Sequence, residues 1–169
     1  MISSKHERAS TRSSNSSLSK VRVVLVETRT PGNIGASARA MKVMGLSQLY
    51  LVNPHRPEGR EARTRAMSGL DLLDRAVRCS SLDEALSGCQ LVMGTSARFR
   101  SLPWSLIDPR EAAEIAVEFI ARPSHSEGGE MNPPPQVALL FGREANGLQT
   151  AELARCHHHI HIPTSAEST

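Results

Sequence analysis

Hydrophobic and polar positions alternate in blocks along this chain, and the blocks predict alternating strands and helices. The first apolar run, VRVVLVE at residues 21–27, is continuous and rich in β-branched residues, as is typical of a strand buried on both faces of a parallel sheet. Further strands are predicted at 48–53, 76–80, 90–96, 136–142 and 157–163. Helices are predicted at 33–44, 61–76, 81–88, 108–121 and 150–156. This order predicts one α/β domain with a mainly parallel sheet and flanking helices.

Local end signals support two of these helices and weaken a third. Ser81 stands before one helix as an N-cap, and Gly88 follows its end. Asp108 is the predicted cap of another helix, with Pro109 at its first position. Gly69 is a weak point inside the helix predicted at 61–76.

Three predicted strands end in unusual polar segments, which indicates a binding site. These segments are ETRTPGNIG, GTSARFRSLPW and FGREANGL. In parallel sheets, ligands bind beyond the carboxyl ends of the strands, so the three segments are expected at one edge. The first segment has only Gly32 and Gly35, whereas a dinucleotide fingerprint needs three glycines and an acid about 20 residues later. A nucleotide-dependent oxidoreductase is therefore disfavoured.

The same segments, read with their flanking residues, resemble the SpoU-type RNA 2′-O-methyltransferases of the SPOUT class. The matching stretches are VRVVLVETRTPGNIGASARAMKVMGLSQLYLVNP, LDEALSGCQLVMGTSARFRSLPW and VALLFGREANGLQTAELARCHHHIHIP, which cover about residues 21–163. The resemblance is strongest to the TrmJ-like branch, which methylates the 2′-hydroxyl of cytidine or uridine at tRNA anticodon-loop nucleotide 32. It implies an α/β fold with a trefoil knot, S-adenosylmethionine as cofactor, a homodimer and RNA as the methyl acceptor.

The resemblance also assigns residues to roles. It places Asn33 and Arg39 in the first family motif and Glu144 in the second. The resemblance implies that these three residues are catalytic. The implied cofactor contacts are Thr95, Ser96, Ala97, Gly142 and Ile162. The family's third motif, a Ser-Leu-Asn element before a last helix, does not occur before Thr169. We therefore expect the domain at 21–169 to be truncated, its knot to be incomplete, and a chain extended past Thr169 to be the active form.

Arg39 is expected to assist methyl transfer by charge rather than as a base. A guanidinium keeps its proton at any ordinary pH, with a pKa above about 12, so it suits a phosphate or a developing alkoxide. Asn33 is read either as a helix cap or as a residue that orders Arg39 or the RNA. Glu144 is expected to bind Asn33, Arg39 or a backbone amide near the cofactor.

The helix that carries Arg39 is apolar on two sides. One stripe is Ile34, Ala38, Met41 and Gly45, and the other is Ala36, Ala40 and Val43, with Arg39 at its edge. A helix apolar on two sides is buried on two sides. One stripe is expected on the sheet, and the second against a partner subunit or inside a larger monomer core.

The remaining arginines are candidates for RNA binding, and the histidines are candidates for metal binding. The candidate RNA-binding residues are Arg56, Arg60, Arg63, Arg65, Arg98 and Arg100, although a solvated helix face balanced by Glu58 and Glu61 explains them equally well. In the run CHHHIHIP, alternate histidines share one strand face about 7 Å apart, too far to converge on one zinc ion. No metal site is expected.

Composition and charge restrict the remaining possibilities. The chain has 169 residues, 39% hydrophobic and 22% charged, with a net charge of +3. This excess lies in the Ser-rich segment 1–20, which is expected to be a disordered basic tail. No apolar run reaches the roughly 20 residues of a membrane span. Three cysteines without a C-x-x-C pair favour a reducing, cytoplasmic location. The alternatives to a tRNA methyltransferase are an rRNA 2′-O-methyltransferase and a non-catalytic RNA-binding module.

Overall fold

A computed structural model describes residues 17–57, 59–96, 106–122 and 133–163 of the chain. The strands are β1 (Val21–Val26), β2 (Gln48–Val52), β3 (Val77–Cys79), β4 (Leu91–Thr95), β5 (Leu106–Ile107), β6 (Val137–Phe141) and β7 (His158–Ile160). The helices are α1 (Pro31–Met44), α2 (Arg60–Ala66), α3 (Leu70–Asp74), α4 (Leu82–Leu86), α5 (Pro109–Ile120) and α6 (Thr150–Leu153). A 3₁₀ turn, Met67–Gly69, joins α2 to α3.

The seven strands form one sheet in the order β3-β2-β1-β6-β4-β7-β5, and every pairing is parallel. The predicted α/β class with a parallel sheet is therefore confirmed. Strand β6 lies between β1 and β4. The carboxyl end of β6, from the last third of the sequence, therefore lies beside the carboxyl end of β1, from the first third. The trefoil knot stays a prediction.

Both faces of the sheet are covered by apolar side chains, as the continuous run of β1 predicts. All six residues of β1 are buried. Val23 and Leu25 point into a cluster with Ile34 of α1, whereas Val24 and Val26 point into a cluster on the other face. A third cluster joins α5 to the start of β1 and to β4 and β7. Alternation along one strand thus fills two cores at once.

Helix α1 packs tightly against α2 because small residues let the backbones approach. A Cβ atom on Gly35 would lie 2.8 Å from the carbonyl carbon of Ala62. Likewise, a Cβ atom on Gly69 would lie 2.5 Å from the carbonyl oxygen of Ala38. These contacts fix the position of α1, which carries two of the predicted site residues.

The structure corrects two sequence predictions. The helix predicted at 61–76 is interrupted: Met67 has φ +45°, so the chain passes through a 3₁₀ turn at Gly69 before α3 begins. The short strand β5 was not predicted, because two residues carry too little periodicity to be recognised. The caps are confirmed: Ser81 Oγ accepts from the amide of Glu84, and an Asp108 carboxylate oxygen accepts from the amide of Glu111. Residues 1–16 of the predicted tail lie outside the described residues.

Candidate functional site

Three of the predicted cofactor residues meet at one edge of the sheet. Strands β6, β4 and β7 are neighbours, so Gly142, Thr95 and Ile162 follow or end adjacent strands at their carboxyl ends. Thr95 Oγ1 donates to the carbonyl oxygen of Leu140 at 3.1 Å, which joins β4 to β6 at this edge. We call this edge, formed by residues 95–96, 142–148 and 161–163, the rim.

The rim also holds Ser96, the third residue of the GTSA motif. The amide of Ser96 donates to the carbonyl oxygen of Ile160 at 2.9 Å, which joins β4 to β7 one step further along the edge. Ile162 lies just beyond β7 and is 48% exposed, so an apolar side chain borders the rim from that side. Ala97 lies outside the described residues.

Gly142 is required by its own loop. A Cβ atom at this position would lie 2.5 Å from the carbonyl oxygen of Gly147 and would overlap the amide of Leu148. The loop is closed by two hydrogen bonds, Arg143 N to Gly147 O at 3.2 Å and Gly147 N to Arg143 O at 2.8 Å. The sequence suggested that a ligand approaches this glycine, and the structure shows that the loop backbone itself does so.

Glu144 connects the rim to the start of α1. Its carboxylate accepts hydrogen bonds from the amides of Arg29 and Thr30, both at 3.1 Å, and from the Asn33 side-chain amide at 3.0 Å. Partial burial works against ionisation, but these donors and the amide of Glu144 itself lower its pKa to about 2. The carboxylate is therefore charged at neutral pH, and it binds two of the three kinds of partner that the sequence suggested.

Asn33 is not the helix cap that one reading of the sequence allowed. Thr30 occupies the cap position of α1 without a side-chain hydrogen bond, and Pro31 begins the helix. The first turn contains no acidic residue of its own. Glu144 supplies the missing negative charge from another loop, where it faces the positive end of the helix dipole. Asn33 thus couples α1 to the rim.

A cavity of about 440 Å³ adjoins this contact between α1 and the sheet. Its α1 wall is a stripe formed by Asn33, Ser37, Ala40 and Met44. Its sheet wall includes Leu25 of β1 together with Leu139 and Phe141 of β6, and Gly142 and Glu144 border it. The cavity therefore combines an apolar floor with a polar margin at the site motifs.

Arg39 lies on the exposed side of α1, away from the cavity stripe. Its side chain has no hydrogen bond or ion pair to another residue within the described ranges, so its guanidinium is free to bind an anion. The buried stripe of α1 is confirmed for Ile34, Ala38 and Met41, which are at most 2% exposed, but not for Gly45, which is exposed and ends the helix as its C-cap with φ +77°. The second stripe is exposed in the single chain, and Val43 is 79% exposed.

Four of the predicted RNA-binding arginines lie on α2 or just before it, but they do not share one face: Arg65 lies beside Gly32 of α1, whereas Arg63 points toward Asp74. Arg56, Arg60, Arg63 and Arg65 are all exposed. Arg63 is partly neutralised because its Nη1 lies 2.5 Å from an Asp74 carboxylate oxygen. Arg98 and Arg100 fall outside the described residues.

The histidine run serves the packing of β7. His157 Nδ1 accepts from the amide of Val92 at 3.0 Å, and the buried His159 ring lies 3.1 Å from the carbonyl oxygen of Leu153. In the described residues, no group of three or more His, Cys, Asp or Glu side chains is arranged to hold a metal ion. None of the helices in the described ranges is long and apolar enough to span a membrane.

Sequence reasoning missed Arg143 and its partners. The Arg143 side chain is 7% exposed and forms ion pairs with Glu27 at 2.8 Å and Glu152 at 2.9 Å. These pairs raise the pKa of Arg143 above its ordinary value, through the hydrogen bonds to Glu152 first and Glu27 second. The only local signal was a charged residue directly after the rim glycine; Glu152 is nine positions away, whereas Glu27 is 116 positions away.

Comparison with known proteins identifies the family of this fold and site. The model of the SpoU rRNA Methylase family matches residues 20–169. The chain belongs to the SpoU rRNA Methylase family. This SpoU-family chain is 51% identical over 150 residues to the tRNA (cytidine/uridine/adenosine-2'-O-)-methyltransferase TrmJ of Pseudomonas aeruginosa, covering 89% of the chain and 54% of that relative. The chain thus spans about half the length of this curated relative.

Solved structures agree with the family assignment. A probable methyltransferase from Bordetella pertussis superposes with a TM-score of 0.79 at 33% identity, over 90% of this SpoU-family chain and 86% of that protein. The SpoU methyltransferase AviRb from Streptomyces viridochromogenes, solved in complex with the cofactor AdoMet, shares the fold with a TM-score of 0.60. Its identity is 17%, over 89% of this chain and 51% of that protein.

Proposed function

We propose that the protein transfers a methyl group from S-adenosylmethionine to a ribose 2′-hydroxyl of tRNA, at anticodon-loop nucleotide 32. The observation that carries the proposal is the convergence of Thr95, Ser96, Gly142 and Ile162 at the ends of three adjacent strands in a SpoU-family chain. The similarity to TrmJ supports tRNA as the acceptor. Nucleotide 32 rests on the sequence resemblance.

The rim residues fit the proposed cofactor chemically. Backbone groups of residues 95–96 and of the 142–148 loop suit an adenine ring, whose edge needs hydrogen-bond donors and acceptors. Ile162 offers an apolar contact to a ring face. When bound, the cofactor supplies an activated methyl group on a sulfonium, so the protein has to align the acceptor oxygen and help remove its proton.

Arg39 is the residue that we propose to act on the acceptor. Its exposed guanidinium can hold a phosphate of the RNA and stabilise the alkoxide that develops as the 2′-hydroxyl loses its proton. The exposed arginines of α2 and of the connection before it, Arg56, Arg60, Arg63 and Arg65, would add phosphate contacts away from Arg39. Asn33 and Glu144 hold the start of the helix on which Arg39 stands.

A homodimer is part of the proposal. The second stripe of α1 is exposed in the single chain, with Val43 at 79%, and the neighbouring Met44 of the cavity stripe is 58% exposed. Exposed apolar side chains on one helix favour an interface. Because Arg39 borders this stripe and lies away from the cavity of its own chain, we propose that it serves a rim of the partner subunit. The three free cysteines favour the cytoplasm as the location.

Methyl transfer to defined tRNA transcripts tests the function. A chain extended past Thr169, the form expected to be active, should transfer a labelled methyl group to an unmodified transcript and should fail on a matched transcript with a 2′-deoxyribose at nucleotide 32. Transfer to both transcripts would refute the assigned nucleotide. Transfer only to ribosomal RNA would support the rRNA alternative that the family's name suggests.

Arg39→Ala tests the assigned role. Removing one charge-stabilising donor is expected to lower the transfer rate by about 10²–10³-fold, with cofactor affinity nearly unchanged. Arg155→Ala, which removes an exposed guanidinium paired with Asp83 on α4, is the matched control and should retain activity. Full turnover in Arg39→Ala would remove Arg39 from the mechanism. Binding of tRNA and cofactor by the wild type without any transfer would favour the non-catalytic module.

A further inference from the structure

We propose that Arg143 is a positioning residue of the candidate site, which fixes Glu144 and through it the turn that begins the helix of Arg39. The expected effect on catalysis rests on the proposed function. The expected effect on the structure rests only on the contacts of Arg143. Those contacts join the 142–148 loop to Glu27 at the end of β1, which is 116 positions away, and to Glu152 of α6, which is nine positions away.

All three nitrogen atoms of the Arg143 guanidinium are engaged. Nε donates to Glu27 Oε2 at 2.8 Å, and Nη2 lies 2.8 Å from Glu27 Oε1. Nη1 and Nη2 donate to the two oxygens of Glu152 at 3.0 and 2.9 Å. Nη1 also makes a long contact of 3.5 Å with the carbonyl oxygen of Gly147. One planar group therefore binds two carboxylates in a bidentate manner and closes its own loop.

Each carboxylate partner is itself held in place. Glu27 has φ +48° at the end of β1, and its amide donates to the carbonyl oxygen of Val52 at 2.8 Å. Glu152 accepts the amide of Gln149 at 2.7 Å as part of the capping box that begins α6. Arg143 is thus anchored to a strand end on one side and to a helix start on the other.

Anchoring Arg143 determines where Glu144 lies, because the two residues are adjacent in a turn closed by the Arg143–Gly147 backbone pair. Arg143 binds the β1–α1 connection through Glu27, and Glu144 binds it through the amides of Arg29 and Thr30. Two consecutive residues of the 142–148 loop therefore bind the same connection. Loss of the Arg143–Glu27 contact is expected to weaken the hydrogen bonds of Glu144 to Arg29 and Thr30.

Lysine cannot replace this arrangement. An ammonium group is a compact charge without the planar fork that matches two carboxylates at once. In Arg143→Lys one positive charge remains, but it cannot donate to both oxygens of Glu27 and of Glu152 at once, so the two carboxylates are no longer held in fixed positions. The expected result is a displaced 142–148 loop in a protein whose cores are unchanged, since Arg143 is not a member of any of the three apolar clusters.

Hydrogen exchange of single amides tests the proposal directly. In Arg143→Lys, the amides of Arg29 and Thr30 should exchange at least about tenfold faster, because they lose their carboxylate acceptor. The amides of Val24 and Leu140, which lie in buried strands, should keep their wild-type rates. Arg155→Lys, which alters an exposed ion pair outside the rim, is the matched control and should change neither set.

The titration of Glu144 provides a second signature that a general loss of stability would not produce. Its carboxyl carbon signal in the wild type should titrate with a pKa of about 2, and in Arg143→Lys the pKa should move toward the ordinary value of 4.5. If Arg143→Lys does not fold, Glu27→Gln keeps the anchor on Glu152 and should show a smaller change in the same direction. Wild-type exchange at Arg29 and Thr30 in a folded variant would overturn the proposal.

The positioning role of Arg143 and the proposed methyl transfer can fail separately. If wild-type protein transfers methyl groups and Arg143→Lys lowers the rate with little effect on the KM for RNA, both levels are supported. If the exchange and titration change as expected while the wild type shows no transfer, the positioning role stands and the proposed function fails. If transfer occurs but neither signature changes, the positioning role fails.

Discussion

Replacing Gly142 with alanine is the sharpest test of how the rim is built. The added Cβ atom would lie 2.5 Å from the carbonyl oxygen of Gly147, whereas ordinary van der Waals contact begins at 3.4 Å. The 142–148 loop backbone therefore has to move by about 1 Å, since the opposing atoms belong to the main chain and have no alternative rotamer. Such overpacking typically costs about 1–3 kcal/mol.

The assay combines thermal unfolding with amide exchange in the loop. For a chain of 169 residues, each kcal/mol lost lowers the melting temperature by about 2–4 °C. The amides of Arg143 and Gly147, which close the loop on each other's carbonyls, should lose protection selectively in Gly142→Ala. Exchange in the buried strand β1 should stay at its wild-type rate once the change in global stability is taken into account.

Gly147→Ala is the matched control, since it adds the same methyl group to the same loop. Gly147 has φ +64° and open space around its Cβ position, so the cost there is backbone strain of about 1–2 kcal/mol, without displacement of a neighbour. The two alanine variants should therefore differ in loop protection even if their stabilities are similar. Wild-type stability and loop protection in Gly142→Ala would refute the packing argument.

Two further predictions concern stability. The pKa of Glu144 in the folded protein, about 2, lies below the ordinary 4.5, so its ionised carboxylate stabilises the fold above pH 4.5 and this contribution disappears as the pH falls toward 2. The difference in urea unfolding between wild type and Glu144→Gln should shrink over that interval, whereas a constant difference would contradict the assigned hydrogen bonds; Glu118→Gln on exposed α5 is the control. Ser81→Ala should lower the free energy of unfolding by about 1 kcal/mol through loss of the α4 cap, compared with Ser47→Ala in an exposed loop.

The buried strand β1 and two of the helix starts could be predicted from the sequence. The β-branched run at 21–26 predicted a strand buried on both faces, and alternate residues of β1 do enter different apolar clusters. Ser81 and Asp108 predicted two helix starts. These features depend on residues two to four positions apart, so the sequence contains all the information that fixes them.

The broken helix at 61–76 shows where such reasoning stops. Its pattern alone favours a continuous helix, yet Gly69 is needed for the close approach to Ala38, and Met67 takes a left-handed backbone conformation beside it. Packing between two elements overrides local preference there. The cavity stripe of α1 and the exposed position of Arg39 likewise depend on how that helix is rotated against the sheet.

The sequence by itself determined the alternating elements, their caps and the three polar segments that carry the family motifs. The tertiary structure decided which of these segments meet. Glu144 reaches Thr30 across 114 positions and Arg143 reaches Glu27 across 116, because the sheet order places β6 directly beside β1. Arg143, directly after Gly142, looks like any surface charge until the strand order supplies Glu27 as its partner. Pairing between distant strands is a property of the whole fold, and no window of neighbouring residues contains it.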